Sequence, residues 1–431
     1  MKTPKRWRLA VMMALVYAVQ GSFWPLLAVH LADLGIDGRG RGWIFATLAI
    51  GSLAVPLGAG QLVDRLMPTQ WCLALAYAGG TGLLVVLASG LVTQAVGIFV
   101  LFLVFWSLIA PAYSLSNSLG MRNLNDPPGE FGWVRLWGTA GWMIAGWGSS
   151  VAMALSGSTR IGQGAFEAIW VGTLLSLATS VYCLTLPDTP PLAVGPRGKH
   201  ALRESLALAR RPDIRIFLVT SFGVYLTAPM VYQVMPGYLE WRGLPRAWIS
   251  TTMTLGQVTE IGMLAVLPWL LRRFGAKVTL MLGILAWFMR FFSLALHPPL
   301  WLAVGGTLLH GVGIACFTVG GQLYIDGRCD DHLRASAQAL VLVCMSGLGA
   351  LVGNVMAGEI VGRTSPGDVL VFLIPCVIDG ALLLYFLRGF RAPVSSVAWA
   401  GAGRAETSLP ASTGRGSLAR DGRLVTESAD G

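Results

Sequence analysis

The chain has 431 residues, of which 55% are hydrophobic and only 12% charged, and its formal net charge is +10. Soluble domains carry about a quarter charged residues, so this composition excludes an ordinary soluble globule and points to an integral membrane protein. Basic loops at a membrane face then explain the positive charge better than nucleic-acid binding does.

The opening MKTPKRWR leads into LAVMMALVYAVQGSFWPLLAVHL, which is too long for a signal-peptide core and lacks an A-x-A cleavage site. It reads as an uncleaved first helix. Apolar stretches of about 20 residues, each long enough to cross a bilayer, fall at 9–31, 43–63, 71–92, 95–119, 132–155 and 166–186. They continue at 214–237, 248–271, 276–296, 299–324, 335–361 and 368–389, giving twelve expected transmembrane helices. Pro229 and Pro236 interrupt the seventh, which a membrane helix tolerates when neighbours satisfy the backbone. With the N-terminus inside, inner segments hold 19 basic residues and outer loops 6, a bias that places both termini in the cytoplasm.

The longest inner loop divides the spans six and six. The expected organisation is an N-terminal half (1–190), a basic cytoplasmic linker (191–213), a C-terminal half (214–391) and a disordered cytoplasmic tail (392–431) rich in Gly, Ser, Ala and Arg. The halves echo each other in the turns GAGQLVDRL and LPWLLRRFG, and in Arg135 and Arg334 opening the fifth and eleventh spans. An all-α membrane protein with two six-helix halves around a central site is the design of the major facilitator transporters.

Within the eighth span, WISTTMTLGQVTEIGMLAVLPWLL, Glu260 lies near the middle with Gln257 three residues earlier on the same face. A carboxylate at that depth costs roughly 2.5–3.5 kcal/mol on insertion scales, so it is expected to face a bundle interior or an aqueous path. Glu260 could carry a coupling proton, or it could be a protonated structural group bonded to a neighbouring helix. Arg135, with Thr139 and Trp142 on its face, either reaches a substrate with its planar fork of donors or snorkels to the interface. His310, mid-span in LLHGVGIACF, could contact substrate or relay protons, or sit neutral against a backbone carbonyl. Arg290 should need an internal ion partner, and Asp379 is a further buried acid in the last span. Asp64 and Arg65 close the second span as a candidate gate, and Trp24–Pro25 offers an aromatic wall and a kink.

Chemistry of other kinds finds little support. The six cysteines form no CxxC and lie mostly in apolar runs, as packing residues. CDDHLR, at Cys329 to Arg334, resembles a metal patch but fits a solvated inner loop better. No Gly-x-x-x-x-Gly-Lys-Ser/Thr loop suggests ATP drive, so the expectation is a carrier driven by an ion or solute gradient, with no cofactor, no metal and no enzymatic activity.

The stretches VRLWGTAGW, GQVTEIGMLAVLPWLLRRFGAKVTLMLGILAWFMRF and LRASAQALVLVCMSGLGALVGNVMAGEIV resemble the nucleoside:proton symporter family of the major facilitator superfamily, over nearly all of residues 8–390. The resemblance implies uptake of nucleosides with protons across a bacterial inner membrane. It places substrate contacts at Arg135, Thr139, Trp142, Gln257 and Glu260. The family's polar pair on the seventh helix aligns with Pro229 and Tyr232, a tyrosine on the tenth falls at His310, and an aromatic–aspartate pair falls at Ile314 and Ala315. With that aspartate gone, Glu260 is left as the main proton carrier.

The reading is a monomeric multi-pass carrier importing nucleosides with protons by alternating access, its partners being solute, protons and lipid. Within transport, the alternative is another small polar solute such as a sugar, purine metabolite or organic acid. Outside transport, it is a membrane receptor.

Overall fold

This computed structural model describes residues 5–54, 67–157, 162–191, 207–329 and 331–391. Asp64, Arg65, most of the linker and the tail lie outside the described residues. Among the described residues, all regular structure is helical. In chain order the helices are α1 (Lys5–Phe23), α2 (Leu27–Asp33), α3 (Gly38–Ala54), α4 (Thr69–Ala88), α5 (Ala95–Asn123), α6 (Pro127–Ser156) and α7 (Phe166–Cys183). After the linker come α8 (Pro212–Thr227), α9 (Met230–Trp241), α10 (Ile249–Met253) and α11 (Leu255–Ala295). Then follow α12 (Leu300–Gly306), α13 (Leu309–Gly313), α14 (Gly320–Asp326), α15 (Asp331–Leu342), α16 (Ala350–Val361) and α17 (Leu370–Gly389).

Helix is thus found on each expected apolar stretch, and nine helical stretches among the described residues have the length and apolarity to cross a membrane. Outward faces carry Trp43, Trp71, Leu75, Leu174, Val181 and Val377, exposed as lipid-facing residues are. Local chemistry sets the helix limits. The Asp126 carboxylate accepts from the Gly129 N–H (3.3 Å) and Pro127 opens α6, which fixes Arg135 about two turns inside. Gly275 (φ 76°, ψ 172°) breaks α11 into two spans, in backbone geometry that a Cβ disfavours.

The chain passes back and forth, so each helix end belongs to one of two ends of the bundle. Thr69, Gln70, Arg122 and Asn123 bond to residues 188–190 at the end that also holds Asp213. Asp213 there accepts from Tyr324 and Arg328. The opposite end holds Asp33, the start of α3, the end of α6 and the segment between α9 and α10. At this Asp33 end, residues before 191 meet residues after 207 closely. A Cβ on Gly42 would lie 2.8 Å from the Asn354 carbonyl and 2.9 Å from Gly358 Cα, so α3 and α16 touch backbone to backbone. Trp147 Nε1–H donates to Thr254 Oγ1 (3.1 Å), the Thr251 hydroxyl meets Ser150 Oγ (2.9 Å), and Arg39 pairs with Glu359 (2.7 Å).

Candidate functional site

Several of the spans carry helix irregularities. α1 passes through a 3-10 turn at Trp24–Leu26, where Pro25 removes a donor. α8 gives way to α9 at Ala228–Pro229, whereas Pro236 sits inside α9 without ending it. α10 yields to α11 at Thr254, and π-helical turns occupy Ile314–Val319 and Val343–Gly349. Such breaks in membrane carriers are tolerated where the backbone faces protein or a cavity, and π turns favour functional sites.

A cavity of about 650 Å³, in the range of a small-molecule site, takes Val343, Ser346 and Gly347 of the second π-helical turn into its wall. Six of the residues expected from sequence line it: Arg135, Thr139, Trp142, Tyr232, Gln257 and Glu260. The i, i+3 and i, i+4 spacings that put them on common faces therefore do bring their side chains to one space. Their placement depends on α1 lying hard against α6. A Cβ on Gly21 would meet the Trp142 backbone (2.5 Å), and one on Gly141 would overlap the Ala14 backbone, so neither position admits a side chain.

Arg135 is held over the Tyr17 ring, its guanidinium carbon 4.3 Å from the centroid, instead of reaching for the interface. Arg135 and Glu260 share the cavity, yet no ion pair joins them. Gln257 is buried and its Oε1 meets no hydrogen-bond partner within the protein. Tyr232, at the start of α9, sits edge-on to both Trp24 and His310 (6.4 Å each).

His310 is one layer further back. It is buried edge-on against Trp287 (5.4 Å) and is not among the cavity-lining residues, because the Tyr232 ring lies next to it on the cavity side. Its Nδ1 has no hydrogen-bond partner either. Arg290 is buried with one terminal nitrogen unpartnered, and the expected internal ion pair is not found among the described residues. Asp379 accepts from the Thr227 hydroxyl (2.9 Å) between α8 and α17, apart from the cavity. Of CDDHLR, the side chains of residues 330–332 lie outside the described residues; Arg334 lies 3.9 Å from the Asp326 carboxylate at the surface, and no metal-holding cluster occurs among the described residues.

The sequence reading passed over a second wall. Tyr17 and Gln20 of α1, Tyr113, Ser114 and Asn117 of α5, Gln322 of α14 and Ser346 also line the cavity. The Tyr113 hydroxyl donates to Gln20 Oε1 (2.7 Å), and Asn117 Oδ1 is buried without a partner. The signal was present, since Tyr17/Gln20 share the i, i+3 spacing of Gln257/Glu260 and Tyr113/Asn117 the i, i+4 spacing of Arg135/Thr139.

An all-helical bundle with broken helices around a central polar cavity defines a secondary membrane carrier of the major facilitator kind. The crystal structure of the nucleoside transporter NupG superposes with a TM-score of 0.78 at 23% identity, covering 91% of this chain and all of that one. The family model described as "Nucleoside H+ symporter" matches residues 1–394, and the chain belongs to this family. Among curated relatives, the candidate nucleoside transporter YegT of Escherichia coli (strain K12) is 30% identical over 358 residues, 81% of this chain and 83% of that protein. The xanthosine permease of the same organism is 26% identical over 383 residues, covering 84% and 89% of the two chains.

Proposed function

We propose that the protein imports nucleosides together with protons by alternating access, and that Glu260 carries the proton. The observation behind this is a cavity in which Glu260 is the one carboxylate among the described lining residues, free of an ion pair with Arg135. An unpaired carboxylate is available to take up a proton, whereas the arginine stays charged and keeps its donors for solute.

Aromatic faces at Tyr17, Tyr113, Trp142 and Tyr232 supply stacking surface for a base, worth about 1–3 kcal/mol per base. The carboxamides of Gln20, Asn117 and Gln257, with Thr139, supply donors and acceptors for base edges and ribose hydroxyls. The unpartnered oxygens of Asn117 and Gln257 fit a solute that brings N–H or O–H groups. His310 then supports Tyr232 from behind.

In this reading the Asp33 end faces outward and the Asp213 end faces the cytoplasm, with both termini inside a bacterial inner membrane. The six-helix parts 1–190 and 214–391 rock about the cavity as a monomer, joined by the linker 191–213. Contacts at the Asp33 end support a structure closed to the outside, and Asp64 with Arg65 is assigned to closing the other end. Glu260 takes a proton from outside, solute binds, the two parts rock, and deprotonation inside resets the carrier.

The test is uptake of labelled uridine and adenosine into proteoliposomes with and without an inward proton gradient. Gradient-driven accumulation, competed by other nucleosides, is the expected result. A folded protein that accumulates neither overturns the nucleoside assignment. One observation favours a second solute class: buried Arg290 has no carboxylate partner among the described residues. That buried cation without a carboxylate partner suits an anionic solute such as a small organic acid, which the same vesicles would take up instead.

A further inference from the structure

Behind Tyr232 lies a second polar layer, outside the cavity and apart from the proton carried by Glu260. Trp287 and Arg290 stand one turn apart on one face of α11, each only 2% exposed. His310 of α13 packs edge-on to Trp287 at 5.4 Å. Three polar atoms of this layer meet no hydrogen-bond partner within the protein: Arg290 Nη1, Trp287 Nε1 and His310 Nδ1. The Arg290 charge is near enough to act on both the Tyr232 hydroxyl and the His310 ring. Glu260 faces the cavity and makes no ion pair with it.

Close helix packing holds these groups in place. A Cβ on Gly256 would lie 2.9 Å from the Thr307 carbonyl oxygen, and one on Gly311 would overlap the Glu260 backbone nitrogen. The first part of α11 and α13 therefore touch backbone to backbone. A Cβ on Gly313 would come within 2.6 Å of Trp287 Nε1, so a glycine at this position leaves the indole N–H uncovered.

A guanidinium keeps its charge when buried, and a buried charge is costly unless it is paired and hydrogen-bonded. Among the described residues, no carboxylate pairs with Arg290. Water would bond to these donors but leave the charge uncompensated. An anion meets both needs, accepting from the guanidinium, from the indole N–H and from His310 with its hydrogen on Nδ1. One formal positive charge matches one negative charge, whereas a divalent anion would bring an unpaired charge into the same interior. We propose that Arg290, Trp287 and His310 form a binding site for one small monovalent anion behind the Tyr232 ring. A halide from the medium and the carboxylate of an organic-acid solute share that chemistry. The site does not rest on the nucleoside assignment.

The test uses the full chain in a non-ionic detergent, with chloride replaced by a bulky sulfonate and the ionic strength held constant. Chloride is titrated back while Tm and the width of the chloride magnetic resonance line are followed. Sodium formate is titrated in parallel and read by Tm. Chloride should raise Tm saturably, and the protein should broaden the chloride line. Arg290→Gln should abolish both effects. Trp287→Phe keeps an aromatic ring but loses the indole N–H, and should raise the chloride Kd about tenfold.

A rise in Tm with formate and not with chloride, lost in Arg290→Gln, also supports the site and identifies a solute carboxylate as its occupant. A Tm that follows neither anion overturns the site and leaves the layer to water. So does an anion effect that persists undiminished in both variants, because the anion then binds elsewhere. Should Arg290→Gln not fold, Trp287→Phe decides by itself, and an unchanged Kd refutes the proposal. Because no nucleoside is present, failure of the nucleoside assignment leaves this test intact.

Discussion

Glu260→Gln keeps the shape of the side chain and its hydrogen-bonding reach while removing the titratable proton. Glu260 is the one carboxylate among the described residues lining the cavity, so one proton per cycle is assigned to it. Each pH unit across the membrane then contributes about 1.4 kcal/mol, or roughly tenfold accumulation. A potential of about 100 mV adds about 2.3 kcal/mol for the single charge, roughly fiftyfold more. The parent should therefore concentrate labelled uridine up to about 500-fold under both gradients, and further acidification outside should raise the limit. The variant, resembling the protonated state permanently, should equilibrate solute only to equal concentrations. It should still exchange labelled for unlabelled nucleoside across vesicles with no gradient. Proton-dependent accumulation by Glu260→Gln would refute the assignment of the proton to this residue.

Arg135→Lys keeps the charge but loses the planar fork stacked on Tyr17. It should raise KM about five- to thirtyfold, measured as initial uptake against solute concentration. Asn117→Leu fills the same space without donors or acceptors, and should weaken solute binding by about 1–3 kcal/mol in a titration of the detergent-solubilised protein. An unchanged Kd would remove Asn117 from the site. Gly42→Leu forces α3 from α16, where the Cβ alone would already crowd Asn354 and Gly358. It should cost about 1–3 kcal/mol, seen as a lower Tm, and reduce uptake more than solute binding.

The helices were legible because a bilayer demands long apolar runs, and the break at Pro229 was legible from the missing donor. Glu260, Gln257 and the Arg135 face were legible because polar side chains in such runs are costly and rare. Tyr17, Gln20, Tyr113 and Asn117 escaped notice because tyrosines and carboxamides carry no formal charge and are ordinary on membrane helices. Only the approach of α1 to α6, permitted by Gly21 and Gly141, turns them toward the same space as Arg135. Arg246, one of the six outer-loop charges counted from sequence, was passed over for another reason. Its partner Asp33 is more than two hundred positions away, and a charge between two spans reads as a topology marker until packing buries it. His310 is the converse: a mid-span histidine looks like a contact, but the adjacent Tyr232 and Trp287 rings enclose it.

The glycine seam between α3 and α16 bears on how this carrier can diverge. Every codon change that replaces a glycine adds at least one carbon, and at Gly38, Gly42 and Gly358 that carbon would collide with backbone atoms that cannot turn aside. The cavity wall has no such restriction, since its tyrosines, serines and carboxamides border open volume and can be exchanged one at a time. Mutation should therefore find new solutes far more readily than a new way to close the Asp33 end, so copies of this chain that drift apart would change diet before they change gait.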